Sequence, residues 1–434
     1  IGVNRHSVDA WINPHFFNNN SQAGAPPDAF SATGQNWSFP TYNWDAMESD
    51  DFRWWISRFA GMSAYFDCFR IDHVLGFFRI WEIPTDYTEG LCGHFNPSLP
   101  LSVAEIENYG MTFNEGRFTT PHIHRQHFPE LFGPFAGEAC DTYLAQSSSQ
   151  HYVLKSFCNT QAKIAAMFAD RTNDRTERIR RGLNLIAGEV LFLRDPQRPN
   201  RFHPRISAIH SHIYNELSEP DREAFNHLYN DYYYHRHEDF WKEQAYRLLS
   251  PLLRAARMLP CGEDLGMIPA SVPEVMNKLQ ILSLEIERMS KSAGTEFAIL
   301  SQLPYMSVCT TSTHDMSPLR NWWKEEDRAK IQRYYNQTLH YEGDAPAECT
   351  PSIAQRIIEK HLESPSMLAI IPLQDLLAID SDMRRPDCSS ERINIPACPD
   401  HYWRYRMHIN IEKLLAADNL NAQIKCMIRK SGRE

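Results

Sequence analysis

The sequence predicts an α/β fold, a TIM (β/α)8-type barrel interrupted by a mainly helical insertion. Three observations predict it. Helical patterns alternate with short, continuously apolar strand-like runs in the first and last parts of the chain, the alternation is lost between Pro84 and about Glu238, and acidic motifs follow the predicted strands. The expected division is therefore 1–84 for the first part of the barrel, 85–238 for the insertion and 239–434 for the second part.

From Ser49 to Tyr65 the apolar residues Phe52, Trp55, Ile56, Phe59, Ala60 and Met62 recur at helical spacing behind a Ser49/Asp50 cap, and the run Phe66 to Asp72 follows as a strand. The unit repeats at Phe240 to Met258 with the strand through Cys261, and again at Ser271 to Leu279 with Leu282 to Ile286. Ser307 to Thr311 and Met367 to Leu377, the latter interrupted by Pro372, read as further buried strands. Within the insertion, helical periodicity covers Tyr152 to Ala169, Arg175 to Phe192 and Asp221 to Tyr229.

The 434 residues carry 44 Lys+Arg against 54 Asp+Glu, a formal net charge of −10, which argues against a nucleic-acid partner. No apolar run approaches the ~18 residues of a membrane span, so no membrane partner is expected. The ten cysteines form no C-x-x-C pair, and Cys68, Cys261 and Cys309 fall in apolar runs where a buried thiol is the default; a reducing, cytoplasmic location follows. Ile1-Gly2-Val3 reads as the tail of a strand already under way.

Eleven of the 19 histidines lie between Pro84 and Glu238, including His122, His124, His127, His235 and His237. No H-E-x-x-H motif or Cys/His cage is present, so structural or surface roles are expected and no metal. Arg171, Arg175, Arg178, Arg180 and Arg181 are interleaved with acids and read as a solvated helix face.

Three motifs could carry chemistry. In Phe69-Arg70-Ile71-Asp72-His73, Arg70 and Asp72 share one face of a strand, where a guanidinium would keep a nucleophilic carboxylate ionised; an intrastrand salt bridge fits the same spacing. In Gly262-Glu263-Asp264, a partly desolvated Glu263 could donate a proton, though acids after strands also cap helices. Thr313-His314-Asp315 adds a third carboxylate. Two carboxylates flanking a glycosidic bond are the equipment for glycoside cleavage, and a third suits stabilisation of the sugar.

At these residues the chain resembles the 4-α-glucanotransferases of glycoside hydrolase family 77. The words that carry the likeness are IGVNRHSVDAWINP, GAPPDAFSATGQNWSFPTYNW, FRIDHVLGFFRIWEIP, GEDLGMIP, TSTHD, PLQDLL and ERINIP, in order from Ile1 to about Pro396. The segments HFNPSLPLS, LFLRDP, FHPRI, YNDYYYHRHEDFW and HYWRYRMH are similar to those of the longer, plant cytosolic type. The resemblance implies a nucleophile at Asp72, an acid/base at Glu263 and a transition-state stabiliser at Asp315, with Arg70 orienting Asp72 and His314 binding the sugar. It also implies substrate contacts at His73, at Asp28, Gln35 and Trp37 in a glucan-covering loop from Gly24 to Trp37, and at Gln374, Asp375 and Asn394. The implied reaction is retaining transfer between α-1,4-glucans, with maltose or glucose as acceptors and no metal or organic cofactor. Retention implies Asp72 and Glu263 carboxyl groups about 5–5.5 Å apart. The family's first strands and the starch-binding modules of the longer type would precede Ile1, so the barrel is expected to be incomplete at its N-terminus. An amylase-type hydrolase and a glucan-binding protein on an inactive barrel are the competing readings.

Overall fold

The computed structural model describes residues 2–27, 31–170, 173–292, 294–396, 398 and 401–433. The chain forms two compact units: one comprises Ile1–Ala64, Val74–Arg257 and Gly266–Val275, the other Tyr65–His73, Met258–Leu265 and Met276–Glu434.

The second unit is built on five short parallel strands: β1 (Cys68–Ile71), β2 (Leu259–Gly262), β3 (Ser283–Ile286), β4 (Ser307–Thr310) and β5 (Leu368–Ala369). β1 pairs with β2 and β3 with β4, which pairs with β5. A parallel bridge between Cys261 and Leu282 joins the two groups. Parallel pairing sends every strand's C-terminal end the same way, and that is how residues distant in sequence come to share one edge. In β1 the buried Phe69 and Ile71 alternate with Cys68 and Arg70. Cys68 is therefore exposed, against expectation. Among the described residues β1 has a strand partner on one edge only.

Around this sheet, the helix Pro351–Leu362 starts on a Thr350 cap, with proline at the first turn where no amide partner is needed. It buries Ile353, Ala354, Ile357, Ile358 and Leu362 against Trp323, Ile331 and Tyr334. At roughly 1.5–3 kcal/mol for each large apolar side chain, this stripe is a main source of the unit's stability. The run Met367 to Leu377 is not one strand. After β5, Pro372 caps the helix Leu373–Leu377, because proline fixes its own φ and leaves the preceding residue extended.

In the first unit, Arg53–Met62 is helical, but Ser49/Asp50 does not cap it. Ser49 ends a preceding helix, Trp44–Ser49, and Phe52 enters the next through a left-handed φ of 53°. Tyr152 to Ala169 is likewise divided, into the strand His151–Leu154, a turn at Ser156–Cys158 and the helix Gln161–Phe168. The β-branched, aromatic start of this stretch pairs with Leu144–Gln146 and Ile123–His124, and tertiary pairing overrides the helical period. Asp174–Ala187 begins on an Asn173/Thr176 capping box, and Glu219–Tyr234 and Glu238–Ala255 are long helices. Phe192 lies beyond the first of these, in a short strand. Arg175 pairs with Glu138, and Arg180 and Arg181 with Glu177, while Arg171 lies outside the described residues. Gly2 to Asn4 form no strand, and Ile1 lies outside the described residues.

A four-stranded antiparallel sheet in this unit holds Gln35–Asn36, Ser21–Ala25, Ile80–Pro84 and His94–Asn96 in that spatial order. The expected loop from Gly24 to Trp37 thus has paired strands at both ends. Gly24 is required there, since a Cβ would sit 2.1 Å from the Gln35 carbonyl oxygen. Among the described residues no helix is long and apolar enough to cross a membrane.

Candidate active site

The site is assembled on the C-terminal ends of β1, β2 and β4, all in the second unit. β1 and β2 run in register, with Ile71 opposite Gly262, and the Glu263 amide donates to the Ile71 carbonyl at 2.9 Å. This places Asp72 and Glu263 side by side although 190 residues separate His73 from Glu263 in the chain.

Arg70 Nη2 donates to Asp72 Oδ1 at 2.6 Å. The residues two apart on β1 do meet on one face, and the guanidinium holds one carboxylate oxygen while the Asp72 side chain stays 55 % exposed. His73 follows with φ 49°, a left-handed conformation that a non-glycine residue seldom adopts. Its amide donates to Glu263 Oε2 at 3.0 Å, and the Leu265 amide donates to Oε1 at 3.0 Å. Burial pushes the Glu263 carboxyl up from its ordinary value and Asp72 adds to this, while Arg70 and the two amides oppose it. The result is two neighbouring carboxyl groups in unlike surroundings, one salt-bridged and open, one desolvated and favouring its proton.

The loop after β4 carries the third. His314 Nε2 lies 3.0 Å from Asp315 Oδ2, and Asn394 Nδ2 donates to Asp315 Oδ1 at 2.9 Å. Burial pulls the Asp315 carboxyl up, but His314, Asn394 and Arg70 together hold it below its ordinary value. The hydrogen bond to Asp315 correspondingly raises His314, against its partial burial. Arg70 acts electrostatically on Glu263, His314 and Asp315 alike.

Asp375 and Gln374 are buried. Asp375 has no exposed surface; its Oδ2 accepts from Thr311 Oγ1 at 2.6 Å and Ser312 Oγ at 3.0 Å, and its Oδ1 from the Leu319 amide at 2.8 Å. These bonds tie down both ends of the loop that carries His314 and Asp315. Gln374 Nε2 donates to the Glu391 carbonyl at 3.4 Å. Asn394 is steadied by Arg392, whose Nε donates to its carbonyl at 3.0 Å.

Two features were not read from the sequence. Asp264 is buried, accepting from the Leu284 amide at 2.9 Å and from Lys291 Nζ at 2.8 Å, so the residue next to Glu263 anchors the turn in which Glu263 sits. No motif signalled Lys291. Trp403, 56 % exposed, faces His314 with ring centroids 5.4 Å apart, and its place in an aromatic and basic run, HYWRYR, was the available signal.

Gln35 and Trp37 belong to the first unit. Trp37 Nε1 donates to Gln35 Oε1 at 3.1 Å and the indole stacks on Phe39 at 5.8 Å. Asp28 lies outside the described residues.

The family model described as 4-alpha-glucanotransferase, glycoside hydrolase family 77, matches residues 1–411. A rice (Oryza sativa subsp. japonica) 4-alpha-glucanotransferase DPE2 is 41% identical over 438 residues, spanning 100% of this chain and 46% of the relative. The 4-alpha-glucanotransferase of Chlamydia trachomatis is 22% identical, over 98% of this chain and 54% of its own. The chain thus spans about half the length of the curated relatives it matches. Among solved structures, an amylomaltase from Streptococcus agalactiae in complex with acarbose aligns at TM-score 0.54 and 18% identity, covering 100% of this chain and 56% of that one. Amylomaltase from Corynebacterium glutamicum aligns at TM-score 0.51 and 13% identity, over 100% and 45%. The mixed helix and strand fold is therefore that of the amylomaltases, and with its three strand-end carboxylates the chain belongs to the 4-α-glucanotransferase family of glycoside hydrolase family 77.

Proposed function

We propose that this protein is a retaining 4-α-glucanotransferase that moves glucosyl or maltooligosaccharide units between α-1,4-glucans by double displacement. The observation that carries the reading is the pairing of a salt-bridged Asp72 with a desolvated Glu263, whose carboxylate is gripped by the amide of the residue after Asp72. Protonated Glu263 gives its proton to the glycosidic oxygen as an Asp72 oxygen attacks the anomeric carbon. The C–O bond to the leaving glucan breaks and a glucosyl ester to Asp72 forms. Glu263, now ionised, takes the proton of an acceptor 4-hydroxyl, whose oxygen displaces Asp72 with a second inversion and net retention. Asp315, kept ionised by His314 and Asn394, binds the sugar hydroxyls as positive charge grows at the anomeric carbon.

Arg70 and His314 complete the catalytic set, and His73, Asn394 and Gln374 line the donor sugar. Asp375 serves the same sugar by fixing the loop of His314 and Asp315. Asp28, Gln35 and Trp37 bind the glucan. The five parallel strands belong to a (β/α)8-type barrel, with 1–84 and 239–434 as its two parts and 85–238 as the insertion. That an amylomaltase of this fold is known with acarbose supports a glucan as the ligand. No metal or organic cofactor enters the scheme. The protein acts in the cytoplasm, where ten free thiols persist.

Incubation with maltose and glycogen tests the reading. Transfer releases glucose with matching elongation of the glycogen; reducing ends that grow without elongation would mean hydrolysis and overturn it.

A further inference from the structure

From spacing alone the histidines of the 85–238 segment read as structural, and several are. His237 is buried, accepting from the Leu99 amide at Nε2 (3.0 Å) with Nδ1 2.8 Å from the Tyr232 carbonyl, and His203 packs against Asp195 and Tyr232. A second group differs. His122, His151 and Glu216 come from three separate segments: the residue before the strand Ile123–His124, the first residue of the strand His151–Leu154, and the end of the helix His212–Asn215. Antiparallel pairing of His151 with His124 brings the first two together. One ligand atom from each of the three lies within 4.8 Å of the others, and all three residues are half-buried.

The hydrogen bonds around this trio engage Nδ1 of each imidazole. His122 places Nδ1 2.9 Å from the Thr120 carbonyl, and His151 places Nδ1 3.3 Å from Ser148 Oγ. Anchoring one ring nitrogen on a carbonyl or hydroxyl fixes the tautomer and turns the other nitrogen outward, which is how metal-bound imidazoles are oriented. His151 Nε2 is already 3.4 Å from Glu216 Oε2. Two ligands about 2.1 Å from a tetrahedral ion stand about 3.4 Å apart, so this edge has the dimension an ion needs. Arg117 Nη2, 3.5 Å from the same Glu216 oxygen, is the cation an incoming metal would displace.

The neighbouring trio of His127, Glu130 and His212 is the weaker candidate. Its Glu130 is exposed, His127 Nε2 is 3.1 Å from the Gln126 amide nitrogen, and the two imidazoles pack at 3.9 Å between centroids.

We propose that His122, His151 and Glu216 form a site for one borderline divalent cation of the zinc class. Two imidazoles and one carboxylate suit that class, and three protein ligands leave a fourth position for water. Bound there, the ion clips a strand pair to a helix end across three distant segments.

The test is calorimetric titration of the metal-stripped protein with zinc chloride, beside thermal unfolding with and without zinc. Wild type should bind one ion at this site and unfold at a higher temperature when loaded, reversibly with EDTA. H122Q/H151Q should bind at least ~10-fold more weakly and lose the thermal shift, whereas H127Q/H212Q should keep both. Absence of saturable binding by wild type, equal affinity in H122Q/H151Q, or loss confined to H127Q/H212Q would each overturn the proposal. Circular dichroism without zinc checks folding; should H122Q/H151Q not fold, E216Q takes its place with the same expectations.

Discussion

The carboxylates of Asp72, Glu263 and Asp315 and the imidazoles of His122 and His151 are each gathered from distant parts of the chain, but by different means. The carboxylates sit at the ends of parallel strands, where backbone register does the gathering: Ile71 opposite Gly262 fixes Asp72 beside Glu263, and two amides hold the Glu263 carboxylate. The imidazoles are gathered by an antiparallel pair and a helix end, and side-chain hydrogen bonds to Thr120 and Ser148 set their direction. Strand ends leave a short, recognisable word at each position, such as FRIDH or GEDLG. The histidine group leaves none, because its spacing in sequence is set by intervening folds and not by a repeat.

That difference can be broken experimentally. Asp72→Asn removes the proposed nucleophile and should lower turnover on maltose plus glycogen by at least ~10⁴-fold. Zinc affinity should be untouched, and a shared loss would mean that the two groups are not independent.

Glu263→Gln should cost about 10²- to 10⁴-fold. Burial raises the Glu263 pKa, so the acid form persists to higher pH than in an ordinary glutamate, and activity should fall as pH climbs through the raised value. The Gln variant should lose that limb of the kcat/KM profile. The same raised value means the carboxyl's favourable contribution to stability is complete below its unfolded pKa and is lost as pH rises through the folded one. Thermal unfolding of Glu263→Gln should therefore depend less on pH over that interval than unfolding of the parent.

Asp375→Ala strips one buried acceptor from Thr311, Ser312 and the Leu319 amide. It should cost roughly 3 kcal/mol in denaturant unfolding and loosen the Asp315 loop. The smallest effect is expected from Trp403→Ala. Loss of an exposed indole beside His314 should raise KM for maltooligosaccharides about fivefold with kcat nearly unchanged. An unchanged KM would place the indole outside the sugar path.

The sequence made the three acidic words, the strand that carries each and the Arg70–Asp72 contact readable, because period-two alternation in β1 dictates which residues share a face. It misplaced the end of Met367 to Leu377, where Pro372 opens a helix, and the start of Tyr152 to Ala169, where pairing with Leu144–Gln146 made a strand of a helical pattern. Cys68 was misread as buried because its exposure depends on what covers β1, which local pattern does not encode. Asp375 matched a family word, but its role as a loop anchor required seeing Thr311, Ser312 and Leu319 converge on it.

The most direct test of the central claim is to trap the ester. The Glu263→Gln protein, given a fluorinated α-glucosyl fluoride and no acceptor, should carry one glucosyl adduct, and peptide mass spectrometry should place it on Asp72. An adduct on Glu263's neighbour Asp264 or on Asp315, or none at all while wild-type transfer is intact, would contradict the account.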